Sequence, residues 1–93
     1  MKLGSVIKEI RSSRGIKQKF VAEKAGISAV FLSQIETNEK MPSMQTLKAI
    51  ANVLDMPLAL LILKGIDDND IRPDLRDSFE AAKKTLESLI TSK

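Results

Sequence analysis

The side chains available for chemistry in this 93-residue chain are hydroxyls, amides, carboxylates and cations, because it holds no His and no Cys. That excludes a tetrahedral zinc centre, a thiol or imidazole nucleophile and a disulfide framework, and it leaves no side chain that titrates unaided near neutrality. Ser and Lys are present without an accompanying general base, oxyanion turn or phosphate loop, so no enzyme is expected. The cluster Asp67, Asp68, Asn69 and Asp70 invites a calcium reading. No register combines acidic or amide residues at the alternating early loop positions with the required Gly and closing Glu, so the segment reads as an acidic linker. Neither metal nor cofactor is expected. Three Phe without Tyr or Trp are too few to build a stacking platform for single-stranded nucleic acid.

The densest pattern of usable side chains lies between Gln18 and Thr37, and helices must hold it. Leu3, Val6, Ile7 and Ile10 follow the spacing of one amphipathic face, predicting a first helix over about residues 4–14 with Gly15 as its left-handed cap. Val21, Ala22 and Ala25 mark a short second helix that Gly26 stops, and Ser28 caps a third that carries Leu32 and Ile35 inward. Pro42 and Ser43 open a fourth helix with Met44, Leu47, Ile50, Ala51 and Leu54 on one face. Pro57 fits the first turn of a fifth, which Gly65 closes. Asp74 is placed to cap a last helix in which Leu75, Phe79, Ala82, Leu86 and Leu89 form a heptad seam about two repeats long. That seam either docks on its own domain or pairs with a partner copy. No stretch alternates like a strand, so the fold class is all-α.

Size and charge narrow the reading further. A chain of this length buries only roughly 60–65% of its unfolded surface, which favours oligomerisation as an added source of stability. Residues 1–64 hold ten Lys or Arg and five acids, whereas residues 65–93 hold five and seven, so the overall +3 conceals a +5 region and a −2 tail. The basic face belongs to the first two-thirds, where a polyanion would sit. The longest apolar run, Leu58 to Leu63, is far short of the roughly 20 residues that cross a bilayer, so no membrane association is expected. The first 20 residues lack the continuous apolar middle of a signal peptide, so the mature chain is expected to begin at Met1. Absence of Cys suits a reducing cytoplasm.

Two helices that cross at about 90–120° over a three- to four-residue turn need a small residue at the crossing, a residue tolerant of positive φ in the turn, and apolar residues facing inward. Ala22, Gly26, and the set Val21, Ala25, Ile27, Leu32 and Ile35 meet those demands. On Leu-Gly-Ser-Val-Ile-Lys-Glu-Ile-Arg at 3–11, Ile-Lys-Gln at 16–18, Val-Ala-Glu-Lys-Ala-Gly-Ile-Ser at 21–28, Leu-Ser-Gln-Ile-Glu at 32–36, Met-Pro-Ser-Met-Gln-Thr-Leu at 41–47 and Met-Pro-Leu at 56–58, the chain resembles the Cro/CI-type (XRE) helix-turn-helix family of bacterial and phage DNA-binding regulators. The resemblance covers about residues 3–63 and leaves the final 30 outside.

The resemblance implies a five-helix, lambda-repressor-like DNA-binding domain over residues 1–64; outside it, the residues themselves read as an acidic linker over 65–73 and a C-terminal amphipathic helix over 74–93 for dimerisation or docking. It places the third helix, about 28–37, in the major groove of double-stranded DNA, with Ser28, Ala29, Val30, Ser33, Gln34 and Thr37 facing the bases. The Gln34 amide suits adenine N6 and N7, and Ala29 and Val30 suit thymine methyl groups. Lys17, Gln18, Asn38, Lys40 and Ser43 are the implied phosphate contacts. Arg11 and Glu36 occupy positions that the family commonly pairs, giving a structural ion pair between the first and third helices. Two places depart from the family pattern. Ala59 and Leu60 make the fifth helix apolar all round, which suggests a subunit surface of Met56, Leu58, Leu60, Leu61, Leu75, Phe79, Ala82, Leu86, Leu89 and Ile90. Phe20 stands where a polar residue is usual and is expected either to tuck against the first helix or to stand as an exposed anchor. The reading is a cytoplasmic homodimeric repressor of a palindromic operator, bacterial or phage-encoded. Its alternative is an antitoxin or adaptor whose C-terminal segment grips a partner protein.

Overall fold

The computed structural model describes residues 2–91, the side chains of Asp68, Ile90 and Thr91 excepted. Six α-helices follow one another: α1 (Leu3–Ser13), α2 (Gln18–Ala25), α3 (Ala29–Glu36), α4 (Met44–Val53), α5 (Leu58–Gly65) and α6 (Arg76–Thr91). Short 3-10 turns at Asp68–Asp70 and Pro73–Leu75 link α5 to α6, and among the described residues there is no strand. The fold is all-α, five helices around one core with a sixth appended.

That core is drawn from the inward faces of α1 to α5. Leu3 and Ile7 meet Val21, Ala22, Leu32, Ile35, Leu47, Ile50, Ala51 and Leu61, with Leu54 sealing the end of α4. At roughly 25 cal/mol per Å² of apolar surface buried, these side chains are the main favourable contribution to folding. Two close approaches fix the start of α1 on the rest of the fold. Gly4 is buried against α3, where a Cβ would lie 1.8 Å from the Ile35 carbonyl oxygen, so only glycine fits. The Gly65 carbonyl accepts the Lys2 N–H at 2.7 Å, joining the last turn of α5 to the start of α1.

Three expectations from sequence need correction. Pro57 precedes α5 with extended ψ of 133° and does not occupy its first turn, because α5 starts at Leu58. Asp74 does not cap α6; it lies in the 3-10 turn, and its carboxylate accepts from Arg72 at 3.1 Å on the surface. Leu60 and Leu61 are buried in this chain's own core, 3% and 0% exposed, and are not available to a second subunit. The apolar girth of α5 is largely covered by its own fold: Leu58, Ile62 and Leu63 are half-buried and only Ala59 is exposed.

The sixth helix sits differently. Among its described side chains none is buried. Phe79 and the stripe Arg76, Glu80, Lys83 and Glu87 are half-buried, and Lys83 and Glu87 face Val6, Glu9, Ile10 and Lys64 across a shared cleft. Leu75, Leu86 and Leu89 point to solvent, 45%, 38% and 73% exposed. The helix thus shows much of its polar side to the body of the protein and most of its leucine seam to water. In the preceding linker, the Asp67 N–H donates to Asp70 Oδ2 at 2.8 Å and holds that carboxyl below its ordinary range.

Candidate nucleic-acid interface

The α2–α3 corner follows from three local devices. Gly26 takes φ 74°, a left-handed value, and ends α2 with its N–H on the Glu23 carbonyl. The Ile27 N–H reaches back to the Ala22 carbonyl at 2.9 Å, closing the turn. Ser28 then starts α3, its Oγ accepting the Phe31 N–H at 3.0 Å. Val21 and Ala22 of α2 and Leu32 and Ile35 of α3 are buried, so the two helices are fixed by packing on their inner sides.

An ion pair locks the far end of α3. Arg11 Nε donates to Glu36 Oε2 at 2.8 Å and Nη2 to Oε1 at 3.1 Å, a two-pronged contact from α1 to α3. The side chains are 13% and 2% exposed, so water hardly reaches the pair. Arg11 Nη1 also donates to the Ile16 carbonyl at 2.8 Å, and Gln18 Nε2 donates to Glu36 Oε1 at 3.0 Å. One carboxylate therefore gathers α1, the first residue of α2 and the last residue of α3. Sequence reasoning paired Arg11 with Glu36 but missed that Gln18 joins them, since a helix-opening Gln carries no signal of where its amide turns.

The six residues assigned to base reading all lie on α3 or at its ends. Ser28, Ala29, Val30 and Thr37 are exposed and Ser33 and Gln34 half-buried. Thr37 Oγ1 donates to the Gln34 carbonyl at 3.2 Å, and the same carbonyl accepts the N–H groups of Glu39 and Lys40. Lys40 is thereby held close to the C-terminal end of α3. Lys17 is exposed just ahead of α2. Besides Gln18, two more of the assigned phosphate residues have structural work as well. Asn38, at φ 65°, accepts the Gly4 N–H on Oδ1 and donates from Nδ2 to Ser5, fastening the start of α1. Ser43 accepts the Thr46 N–H at 3.1 Å as the cap of α4. Arg14, which the sequence reading did not single out, donates to the Leu54 carbonyl at the end of α4, where a cation suits the helix dipole.

Phe20 is half-exposed, and its place corrects the expectation that it tucks against the first helix. It borders a shallow groove with Ala49, Asn52 and Val53 of α4, not the first helix, and Lys24 Nζ stands 5.8 Å from its ring centroid. Among the described residues no group of three or more acidic side chains is placed to hold a metal ion. No single helix there is long and apolar enough to cross a membrane.

A helix-turn-helix family profile matches residues 7–61. Two proteins of Bacillus phage phi105 are similar in sequence. The ImmF control region 10 kDa protein is 38% identical over 70% of this chain and 72% of its own length, and an immunity repressor protein is 37% identical over 67% of this chain and 43% of its own. Other curated relatives are longer, and the chain spans between 28% and 55% of them. Among solved structures, the clp gene regulator ClgR from Corynebacterium glutamicum superposes with a TM-score of 0.67, 20% identity and coverage of 95% of this chain and 85% of that one. The N-terminal DNA-binding domain of SinR from Bacillus subtilis gives a TM-score of 0.60 at 38% identity, over 64% of this chain and 88% of that one. A SinR–SinI complex gives 0.60 at 27% identity, over 92% and 98%.

Proposed function

Because the chain belongs to the Cro/CI-type helix-turn-helix family, we propose that it is a sequence-specific regulator of transcription that binds double-stranded DNA, and that it acts as a repressor. Residues 1–64 are the DNA-binding unit, 65–73 a linker and 74–93 the segment for association. The observation that carries the reading is the two-sidedness of α3. Its inner residues are buried and ion-paired, while Ala29, Val30 and Thr37 project outward from a rigid mount. Such a helix fits a major groove, with Gln34 suited to adenine and Lys17, Gln18, Lys40 and the α4 cap region suited to backbone phosphates. The immunity-repressor relative supports repression. Its place of action is the cytoplasm of a bacterium, with either the host or a phage supplying the gene.

The chain works as a homodimer on a palindromic operator. One α3 reads too few bases for useful specificity, whereas two related by a two-fold axis read half-sites about 34–36 Å apart. The outward leucines of α6 supply the surface, with Leu75, Ala82, Leu86 and Leu89 at its centre and Met56, Leu58 and Phe79 half-buried beside the core or linker. Ile90 belongs to the same set by sequence, though its side chain lies outside the described residues. A second reading uses that leucine face to hold a different protein, as an antitoxin or adaptor would; the solved neighbour that pairs SinR with SinI is the observation favouring it.

Selection of bound sequences from random duplexes, beside a mass measurement of the full chain in solution, tests both. A palindromic consensus with a dimer mass is expected. A monomer that binds the palindrome at full strength defeats the dimer, an absence of sequence preference defeats the regulator, and co-purification of a tightly held second protein favours the adaptor.

A further inference from the structure

The first turn of α3 carries no amide and no charge. Ala29 and Val30 open the helix, both exposed, and Val30 is 68% exposed although it is β-branched and apolar. Ser28 before them accepts the Phe31 N–H on its Oγ, and Phe31 after them is packed partly into the core. The two apolar side chains therefore stand alone at the N-terminal end of the helix, where groove-reading helices meet base edges. Val is stiff about χ1, so its methyl groups are presented in one arrangement.

A side chain that neither donates nor accepts cannot distinguish the O4 of thymine from the amino group of cytosine. It senses only whether a methyl group projects from pyrimidine C5. Thymine and 5-methylcytosine carry that methyl; uracil and cytosine lack it. We propose that Ala29 and Val30 make this chain a reader of pyrimidine C5-methyl groups in duplex DNA, so that its binding responds to cytosine-5 methylation as well as to base sequence. The proposal rests on the groove-reading role of α3 given above.

The test uses the full chain and the duplex recovered by random selection. Each thymine of that duplex is replaced in turn by uracil, and then by cytosine or 5-methylcytosine with guanine opposite. Each comparison within a pair changes one methyl group and nothing else. At one position or more, thymine is expected to bind about fourfold tighter than uracil and 5-methylcytosine about fourfold tighter than cytosine, the effect of burying one methyl group. Val30→Ser combined with Ala29→Ser, at exposed sites and with an unchanged melting temperature, should abolish both contrasts. Equal binding within both pairs at every position overturns the proposal and leaves groove reading intact, as does a contrast that survives the double variant. A chain that selects no duplex sequence overturns both readings.

Discussion

Arg11 and Glu36 meet through two hydrogen bonds of 2.8 and 3.1 Å across the angle between α1 and α3, with the Glu36 side chain only 2% exposed. In the proposed groove-reading role of α3, a carboxylate at its end would repel phosphates unless it were neutralised, and Arg11 of α1 neutralises it. The pair brings together segments 25 residues apart in the chain.

Truncating either partner leaves a buried charge without its counterion. Arg11→Ala or Glu36→Ala should each cost about 3–5 kcal/mol of unfolding free energy, read from urea denaturation, whereas an apolar double replacement of matched volume should recover much of the loss. A single-variant cost below about 1 kcal/mol, the value of an exposed pair, would show that the buried geometry does not hold in solution.

Gln34→Ala and Lys40→Ala should separate base reading from backbone attraction. The first is expected to relax discrimination at one base pair by about 1–3 kcal/mol with little change on random DNA. The second should weaken all duplexes alike and lower the slope of log affinity against log salt by about one. Equal effects of both variants on specific and random duplexes would defeat the assignment.

Gly4 of α1, packed against α3, and Gly26 of the α2–α3 turn should respond differently to alanine. Gly4→Ala forces a Cβ into the Ile35 carbonyl and should cost about 3 kcal/mol, because α1 must move off α3. Gly26→Ala meets no atom within 4 Å and is penalised only by its left-handed φ, by about 1 kcal/mol. Thermal or urea melts that rank the two the other way would contradict the close approach of α1 to α3.

Charge placed on the leucine seam should act on assembly and not on folding. Leu89→Asp combined with Leu86→Asp changes exposed positions, so the melting transition of the α1–α5 body should persist, while sedimentation shifts from dimer to monomer and operator affinity falls. An unchanged dimer mass would place the subunit contact elsewhere.

Much of this was legible in the sequence, and the misses have physical causes. Helix existence followed from 3.6-residue periodicity and from punctuation by Gly26, Ser28 and Ser43, which are local properties. Leu60 and Leu61 were misplaced because a helix apolar on every side gives no clue to which side its own fold will cover. Asp74 looked like a cap because it precedes the heptad seam, yet the chain first makes a 3-10 turn and the carboxylate turns to Arg72. Phe20 and Gln18 depended on side-chain direction across helices, which linear spacing does not encode. The bonds of Asn38 to Gly4 and Ser5 span more than 30 residues and have no local signature beyond an Asn able to adopt positive φ.

The division of α3 into an inner and an outer face also bears on how such a protein diversifies. Leu32, Ile35 and Glu36 are committed to the scaffold, while the exposed Ala29 and Val30 answer to no neighbour in the core cluster. On the groove-reading role proposed for α3, new specificities can therefore arise by exchanging a few outward side chains at almost no cost in stability. Descendants of one ancestor could acquire separate targets while sharing a frame that mutation cannot easily touch.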